Sequence, residues 1–226
     1  KDRNFLYSLD LKDPNIYKVL CSNNMHGIFQ MEGSSAKAVI NRVQPKCFED
    51  VVACEAICRP GVKEAEDFIA KKEMIATHGS YDIPPYWDKV KHILGYTYGT
   101  IVYQEQTMLL FKDIGGFTLG EADSLRKVKS LEPYRERFVN NAVLIHGFTT
   151  DEANELFDRF DLGYSFNKSH AVAYALNTVQ CAYLKYYYPA EFMSAVLTLE
   201  LTKGEPEVKS IIQECRGFGI SILPPD

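Results

Sequence analysis

The sequence lacks the short motifs by which most nucleotide-binding and hydrolytic folds are recognised. Its 226 residues contain no Walker A sequence, no GxGxxG and no GxSxG. These absences exclude the P-loop, the dinucleotide-binding loop and the nucleophile elbow. No CxxC pair is present, so we interpret the six cysteines as reduced thiols of a cytoplasmic protein, with a zinc site as the weaker alternative. No apolar run approaches about 18 residues, and no membrane partner is expected.

The charge of the chain is unevenly distributed. A formal net charge of -5 argues against a protein that coats nucleic acid with its whole surface. Residues 124–139 are nevertheless basic, since they contain only two glutamates against Arg126, Lys127, Lys129, Arg135 and Arg137. Such a window is either a solvated helix face or a local site for an anion, and the composition leaves both interpretations open.

Helical periodicity and helix-boundary signals recur along nearly the whole chain. They predict an all-α, or nearly all-α, fold with ten or more helices. TLGE at 118–121 and TTDE at 149–152 have the pattern of capping boxes. We predict one helix over residues 101–113 and another that starts after Thr118 and carries Arg126, Lys127 and Lys129. Residues 73–85 lack periodicity and predict a mobile loop, which could divide two lobes.

The stretch at residues 163–174 places polar and aromatic groups at the start of a predicted helix. Unpaired backbone N–H groups and the positive end of the helix dipole make such a start attractive to anions. Lys168 adds a charge there, and Asn167 and Ser169 are suitable capping residues. The buried face of the helix is predicted to run through Val172, Leu176, Val179 and Tyr183. The alternative interpretation is a capped core helix with an ordinary polar start.

Three segments together have the composition of a nucleoside triphosphate site. Arg126 and Lys127, expected early in their helix, suit a polyphosphate through charge-assisted hydrogen bonds and the dipole. The tyrosine and histidine within residues 164–170 offer flat faces for a base, and the asparagine offers an amide edge. YQEQ at 103–106 adds polar, planar groups at a third helix start.

The aspartates do not supply the metal centre that phosphoryl transfer would need. No Asp-x-Asp pair lies on a predicted strand, which is where two carboxylates would hold Mg²⁺. The chain therefore has the composition of a substrate-holding part without its catalytic metal centre.

Seven motifs occur in a fixed order along the chain. They are GIFQME at 27–32, QPKCFED at 44–50, RPG at 59–61, YGTIVYQEQ at 98–106, GGFTLGEADSLR at 115–126, FNKSH at 166–170 followed by AYA at 173–175, and YPAEFM at 188–193. Together they resemble the C family of replicative DNA polymerases, that of the bacterial DNA polymerase III alpha subunit, which some phages also carry. The resemblance covers the chain from about residue 9 to Pro225.

The resemblance implies that residues 1–226 form the fingers domain of a DNA-directed DNA polymerase. In the family this domain follows the palm and precedes the DNA-binding region beyond the thumb. Mg²⁺ is the implied cofactor, with its aspartate ligands in the palm outside this chain, so the chain alone is expected to be inactive. The implied partners are primer–template DNA, dNTPs and, through parts outside this chain, replisome subunits such as a sliding clamp.

The resemblance also implies roles for particular residues. The incoming triphosphate is expected to meet Arg126 and Lys127. The pocket near the nascent base pair is expected to be lined by Tyr164 and Asn167, with His170 close by. Lys168 is a further candidate, and so is Lys129. Many family members have Gly-Lys-Lys at Lys129-Ser130-Leu131, so either a lysine is missing here or Lys129 replaces it. No individual roles are implied for residues 103–106.

Two other functions stay open from the sequence. One is an autonomous helical module that binds nucleic acid without nucleotide chemistry. The other is a helical scaffold that only docks other subunits. Titration with a dNTP and with single-stranded DNA would separate the three hypotheses.

Overall fold

A computed structural model describes residues 3–59, 62, 64–160 and 166–223. These residues form twelve α-helices and four short 3-10 helices, with one isolated parallel bridge and no longer strand among them. The predicted all-α fold is thus confirmed. The helices are α1 (Pro14–Leu20), α2 (Ser34–Val43), α3 (Phe48–Ile57), α4 (Glu64–His78), α5 (Trp87–Leu94), α6 (Gln104–Asp113), α7 (Leu119–Leu125), α8 (Arg135–His146), α9 (Thr150–Asp158), α10 (Lys168–Tyr187), α11 (Pro189–Glu200) and α12 (Glu205–Gly217).

The chain divides into two compact units. The first unit consists of Lys1–Glu55 and Val172–Asp226, and the second of Ala56–Ala171. The boundaries therefore fall within α3 and α10, whereas residues 73–85 lie wholly inside the second unit.

An aromatic cluster organises the core of the second unit. The ring of Phe111 in α6 lies 5.2 Å from that of Phe138 in α8 and 4.6 Å from that of Phe160, measured between centroids. Phe138 also lies 5.5 Å from Phe157 of α9. Tilted and edge-to-face pairs at such distances each contribute about 0.5–1.5 kcal/mol beyond the burial of their area. The cluster therefore holds α6, whose first turn carries the candidate site, against α8 and α9.

Both predicted capping boxes are confirmed. The hydroxyl of Thr118 accepts from the N–H of Glu121 at 3.2 Å, and the Glu121 carboxylate accepts from the N–H of Thr118 at 2.7 Å. Thr149 and Glu152 repeat the arrangement at 3.1 and 2.8 Å. These reciprocal bonds satisfy backbone donors that would otherwise be unpaired, and so they fix where α7 and α9 begin.

The first capping box predicts a dependence of stability on acid pH. Hydrogen bonds from Arg137 and Thr118 lower the pKa of Glu121 from 4.5 to about 2. Because its pKa is lower in the folded state, the carboxylate stabilises the fold above about pH 4.5, and this contribution is lost as the pH falls towards about 2. We therefore expect Glu121→Gln to lower the Tm at neutral pH, by a difference from wild type that shrinks between those two pH values.

Thermal unfolding followed by circular dichroism across this pH range measures that difference. Glu136→Gln is the matched control, since Glu136 is exposed on α8 and forms no ion pair with a described residue. A Tm difference for Glu121→Gln that stays constant down to about pH 2 would contradict the assigned role.

A buried cation connects distant segments of the first unit. Lys185 of α10 is fully buried, and its ammonium donates to the carbonyl oxygens of Asn24 at 2.8 Å and His26 at 2.6 Å and pairs with Glu214 of α12. Burial lowers the pKa of Lys185, and the bond to Glu214 opposes that change. The buried ammonium thus has two carbonyl acceptors and one carboxylate beside it, and the opposite charge of Glu214 offsets part of the cost of its burial.

Two predicted helix boundaries are wrong. α4 continues to His78, through the first half of the segment predicted as a loop, and Gly79 ends it with a φ of +74°. α6 begins at Gln104 and not at Ile101, because the N–H groups of Val102 and Tyr103 bond to the Gln106 side chain instead of to a preceding turn.

The predicted buried face of α10 is confirmed only in part. Val179 is fully buried as expected, but Leu176 is 38% exposed. The buried neighbours of Val179 are Ala175, Thr178 and Ala182. Small side chains allow close packing of a helix against its neighbours. The prediction considered only large apolar residues and therefore missed this face.

None of the six cysteines forms a disulfide, and Cys54 and Cys215 are the buried ones. None of the described helices is both long enough and apolar enough to span a membrane.

Candidate functional site

The first turn of α6 is fixed by the buried side chain of Gln106. Its Oε1 accepts from the N–H groups of Val102 at 2.8 Å and Tyr103 at 2.9 Å. Its amide nitrogen donates to the carbonyl of Ile93 at 3.2 Å and the hydroxyl of Thr97 at 2.7 Å. Gln106 has no exposed surface, so all of its polar groups are used inside the second unit. These four hydrogen bonds hold the backbone of residues 103–105 in place at the start of α6.

An isolated parallel bridge brings the start of α10 to the start of α6. The N–H of Gln104 donates to the carbonyl of Phe166 at 3.0 Å, and the N–H of Phe166 donates to the carbonyl of Val102 at 3.2 Å. Two of the three segments that the sequence analysis grouped together are thus in direct contact.

The carboxylate of Glu105 occupies the N-terminus of α10. It accepts from the backbone N–H of Lys168 at 2.9 and 3.1 Å and from the side-chain amide of Asn167 at 3.0 Å. Asn167 caps the helix, as predicted, by accepting from the N–H of His170 at 2.8 Å. The anion attracted to this helix start is therefore a side chain of the same unit, which stabilises the positive end of the dipole.

The ammonium of Lys168 is held by aromatic rings. It lies 3.8 Å from the centroid of Tyr96 and 5.7 Å from that of Tyr103, and these two rings are stacked. Burial, and secondarily the charge of Glu105, raise the pKa of Tyr96 to about 12, so its phenol stays neutral at physiological pH. A cation at such a distance from a ring face is attracted by the π electrons. Lys168 thus helps to join α10 to the loop before α6.

The structure corrects the expected position of Arg126. α7 ends at Leu125, because the N–H groups of residues 126–128 bond to carbonyls three residues back and the chain turns away. Arg126 and Lys127 consequently follow the end of a helix and do not lie near its start. The dipole argument for binding an anion there is wrong, since the C-terminus of a helix carries the negative end of the dipole. The positive charges of the Arg126 and Lys127 side chains can still attract an anion.

The guanidinium of Arg126 connects the turn after α7 to the start of α6. It donates to the Oε1 of Gln104 at 3.0 Å and, through Nε at 2.9 Å and a second nitrogen, to the carboxylate of Asp123. The side chain is 35% exposed, so the group is fixed but accessible. The third segment of the predicted site therefore joins the other two through Gln104.

The remaining basic residues fall into two groups. Lys127 and Lys129 are exposed, and their ammonium groups meet no carboxylate in the described part of the chain. Arg135 instead pairs with Glu132 and Asp158, and Arg137 pairs with Glu121 at 2.8 Å. Besides Arg126, residues 124–139 thus contain two exposed lysines that form no ion pair with a described residue. They also contain two arginines whose ion pairs stabilise the fold.

The last two predicted site residues are Tyr164 and His170. Tyr164 lies outside the described residues. His170 is exposed, and its ring lies 5.4 Å from that of Phe166. The guanidinium of Arg59 lies over the same Phe166 ring, 4.7 Å from its centroid. Arg59 belongs to the RPG motif but is not among the predicted site residues.

Sequence reasoning also missed the parts played by Gln104 and Glu105. Their motif was recognised, but no role could be given to each member. The partners lie 22 residues away for Gln104 and 62 to 63 residues away for Glu105. Such contacts depend on the tertiary fold, which local patterns do not encode.

The geometry defines an all-helical domain in which a basic turn and a capped helix start both meet the first turn of α6. The sequence model of the bacterial DNA polymerase III alpha subunit finger domain matches residues 2–144. The chain therefore belongs to that family and is a fingers domain of the DNA polymerase III alpha type. The resemblance seen in the seven motifs is confirmed.

Curated relatives agree with this assignment. The chain is 41% identical to the DNA polymerase III subunit alpha of Helicobacter pylori strain J99, over 99% of this chain and 19% of that protein. Identity is 38% with the Thermus aquaticus subunit, over 96% and 18%, and 36% with that of Escherichia coli K12, over 97% and 20%. The chain thus spans about a fifth of the length of the curated relatives it matches.

Proposed function

We propose that this chain positions the incoming dNTP and the template within a DNA-directed DNA polymerase that contains it. The observation that carries the proposal is the hydrogen bond from Arg126 to Gln104. This bond ties the basic turn after α7 to the first turn of α6, where Glu105 also holds the start of α10. Cationic and planar groups from three segments therefore lie around the first turn of α6.

In this proposal the basic turn binds the triphosphate. Arg126 donates to Asp123 and Gln104, and a phosphate oxygen would replace the exposed Asp123 carboxylate as its acceptor. Lys127 and Lys129, exposed on the same turn, would add charge without breaking an existing ion pair. Phosphoryl transfer depends mainly on positioning and charge stabilisation. Arg126 and Lys127 would offset the charge that develops on the leaving pyrophosphate.

The start of α10 forms the base-pair side of the proposed pocket. Asn167 uses its amide nitrogen on Glu105 and its amide oxygen on the N–H of His170. It therefore shapes the wall of the pocket and does not read a base edge. His170 is exposed beside this wall, and Tyr164 is proposed to pack on the nascent base pair by shape.

The described carboxylates do not fit the Mg²⁺ that the family implies. No group of three or more His, Cys, Asp or Glu side chains within the described residues is placed to hold a metal ion. As the family resemblance implies, we propose that the Mg²⁺ ligands of the polymerase lie outside this chain, and the role proposed here uses no metal step.

Titration of this chain with a dNTP and with single-stranded DNA tests the proposal. We expect measurable dNTP binding that Arg126→Ala weakens roughly tenfold, the effect of losing one hydrogen bond to a charged group. Arg216→Ala, which removes an exposed guanidinium from the first unit, should leave dNTP binding unchanged. DNA binding that depends steeply on salt, without any dNTP binding, would instead indicate a nucleic-acid-binding module. Binding of neither ligand would indicate a scaffold.

A further inference from the structure

Arg59 is an exposed cation of the second unit to which the proposed function gives no role. It follows the end of α3, and its guanidinium lies over the ring of Phe166, 4.7 Å from the ring centroid. Phe166 is only 8% exposed, and its backbone is hydrogen-bonded to that of Val102 and Gln104. Arg59 is therefore held by a residue that is itself fixed to the start of α6.

The N–H groups of Arg59 have no acceptor among the described residues. Its guanidinium forms neither a hydrogen bond nor an ion pair with any of them. By contrast, each of the other arginines of the second unit pairs with at least one carboxylate; they are Arg126, Arg135, Arg137 and Arg159. Arg59 is thus the arginine of this unit that is placed by a ring alone.

The contact with Phe166 leaves the hydrogen-bonding capacity of Arg59 to a ligand. A cation over a ring is attracted by the π electrons, and this attraction uses no protein oxygen as an acceptor. The guanidinium is planar and has five N–H donors in a fixed arrangement. Such a group matches two oxygens of one phosphate.

The start of α10 carries more positive charge than the carboxylate bound to it offsets. Arg59 and Lys168 each contribute one charge, and the N-terminus of the helix adds the positive end of its dipole. Glu105, the described carboxylate that binds there, contributes one negative charge. The imbalance favours the approach of a further anion.

We infer that Arg59 is a further phosphate-binding residue of the nucleotide site, an inference that rests on the proposed function. Arg59 and Arg126 are connected through Gln104: its side chain accepts from Arg126, and its N–H donates to the carbonyl of Phe166. A triphosphate has several charged oxygens and can bind two guanidinium groups at once. Phe166 would be a positioning residue, because it acts through Arg59.

Isothermal titration calorimetry of this chain with a dNTP and with inorganic tripolyphosphate tests the inference. Arg59→Ala is expected to weaken the binding of both ligands about tenfold, the effect of losing a hydrogen bond to a charged group. Arg59→Lys should recover only part of the affinity, since an ammonium lacks the planar donors. Phe166→Leu should weaken binding about two- to fivefold, the usual strength of an exposed cation–π contact.

A double-mutant cycle separates positioning from a merely structural role of the ring. Phe166→Leu should weaken binding no further in the Arg59→Ala background, because its effect passes through Arg59. Fully additive effects of the two substitutions would contradict positioning by Phe166. Thermal unfolding of each variant shows that it is folded, and Arg216→Ala, which removes another exposed arginine, is the matched control.

The remaining outcomes distinguish this inference from the proposed function. Weaker dNTP binding in Arg126→Ala with unchanged binding in Arg59→Ala would overturn the inference and leave the proposed function standing. Arg59→Ala that weakens binding of an oligo-dT strand but not of tripolyphosphate would also overturn it, since the phosphate would then belong to DNA. Absence of dNTP and tripolyphosphate binding in the wild-type chain would overturn both.

Discussion

Replacing Arg126 by alanine in the polymerase that contains this chain is expected to lower kcat/KM for nucleotide incorporation by about 10²- to 10³-fold. This is the usual effect of removing one preorganised donor from developing negative charge. Since Arg126 would contact the triphosphate before and during the reaction, we expect KM for the dNTP to rise and kcat to fall together. Single-nucleotide extension of a primed template, measured as a function of dNTP concentration, gives both constants.

One further variant tests whether the planar guanidinium of Arg126 matters beyond its charge, and a second variant is the charge control. Arg126→Lys keeps a cation but cannot hydrogen-bond Gln104 and a phosphate with the same planar geometry, so partial recovery is expected. Arg216→Ala is the control for general loss of charge. Kinetic constants within twofold of wild type in Arg126→Ala would rule out a triphosphate role for this side chain.

Replacing Glu105 by alanine is expected to destabilise the second unit by about 1.5–3 kcal/mol, the range for hydrogen bonds that involve a charged group. The variant leaves the N–H of Lys168 and the amide of Asn167 without their acceptor, and it removes the negative charge from the N-terminus of α10. Urea unfolding measures the stability. Hydrogen exchange at the amides of Lys168 and His170 shows whether the loss is local.

The comparison of two substitutions at Glu105 assigns the cause. Glu105→Gln keeps one acceptor oxygen without the charge and should retain part of the stability. Glu136→Ala, at an exposed position of α8 without an ion pair among the described residues, is the control. Equal stability of Glu105→Ala and Glu136→Ala, with unchanged exchange at Lys168, would show that the carboxylate does not hold the helix start.

Local chemistry was predictable from this sequence, and long-range pairing was not. The capping boxes at Thr118 and Thr149 and the cap at Asn167 follow from side chains that bond within three residues. The role of Glu105 depends on a partner more than sixty residues away. The end of α7 at Leu125 was missed because the basic residues that follow are good helix formers, and their propensity was overridden by the turn.

The arrangement of Lys185 has a consequence for the order in which the chain folds during synthesis. Its ammonium binds carbonyls 159 and 161 residues earlier in the sequence, and the first unit is built from both ends of the chain. Domains generally fold as units while the ribosome adds about 5–20 residues per second. Residues 1–55 must therefore wait roughly 10–30 seconds until α10 and α12 have been synthesised. The continuous second unit, with the candidate nucleotide site, can be complete before the first unit closes.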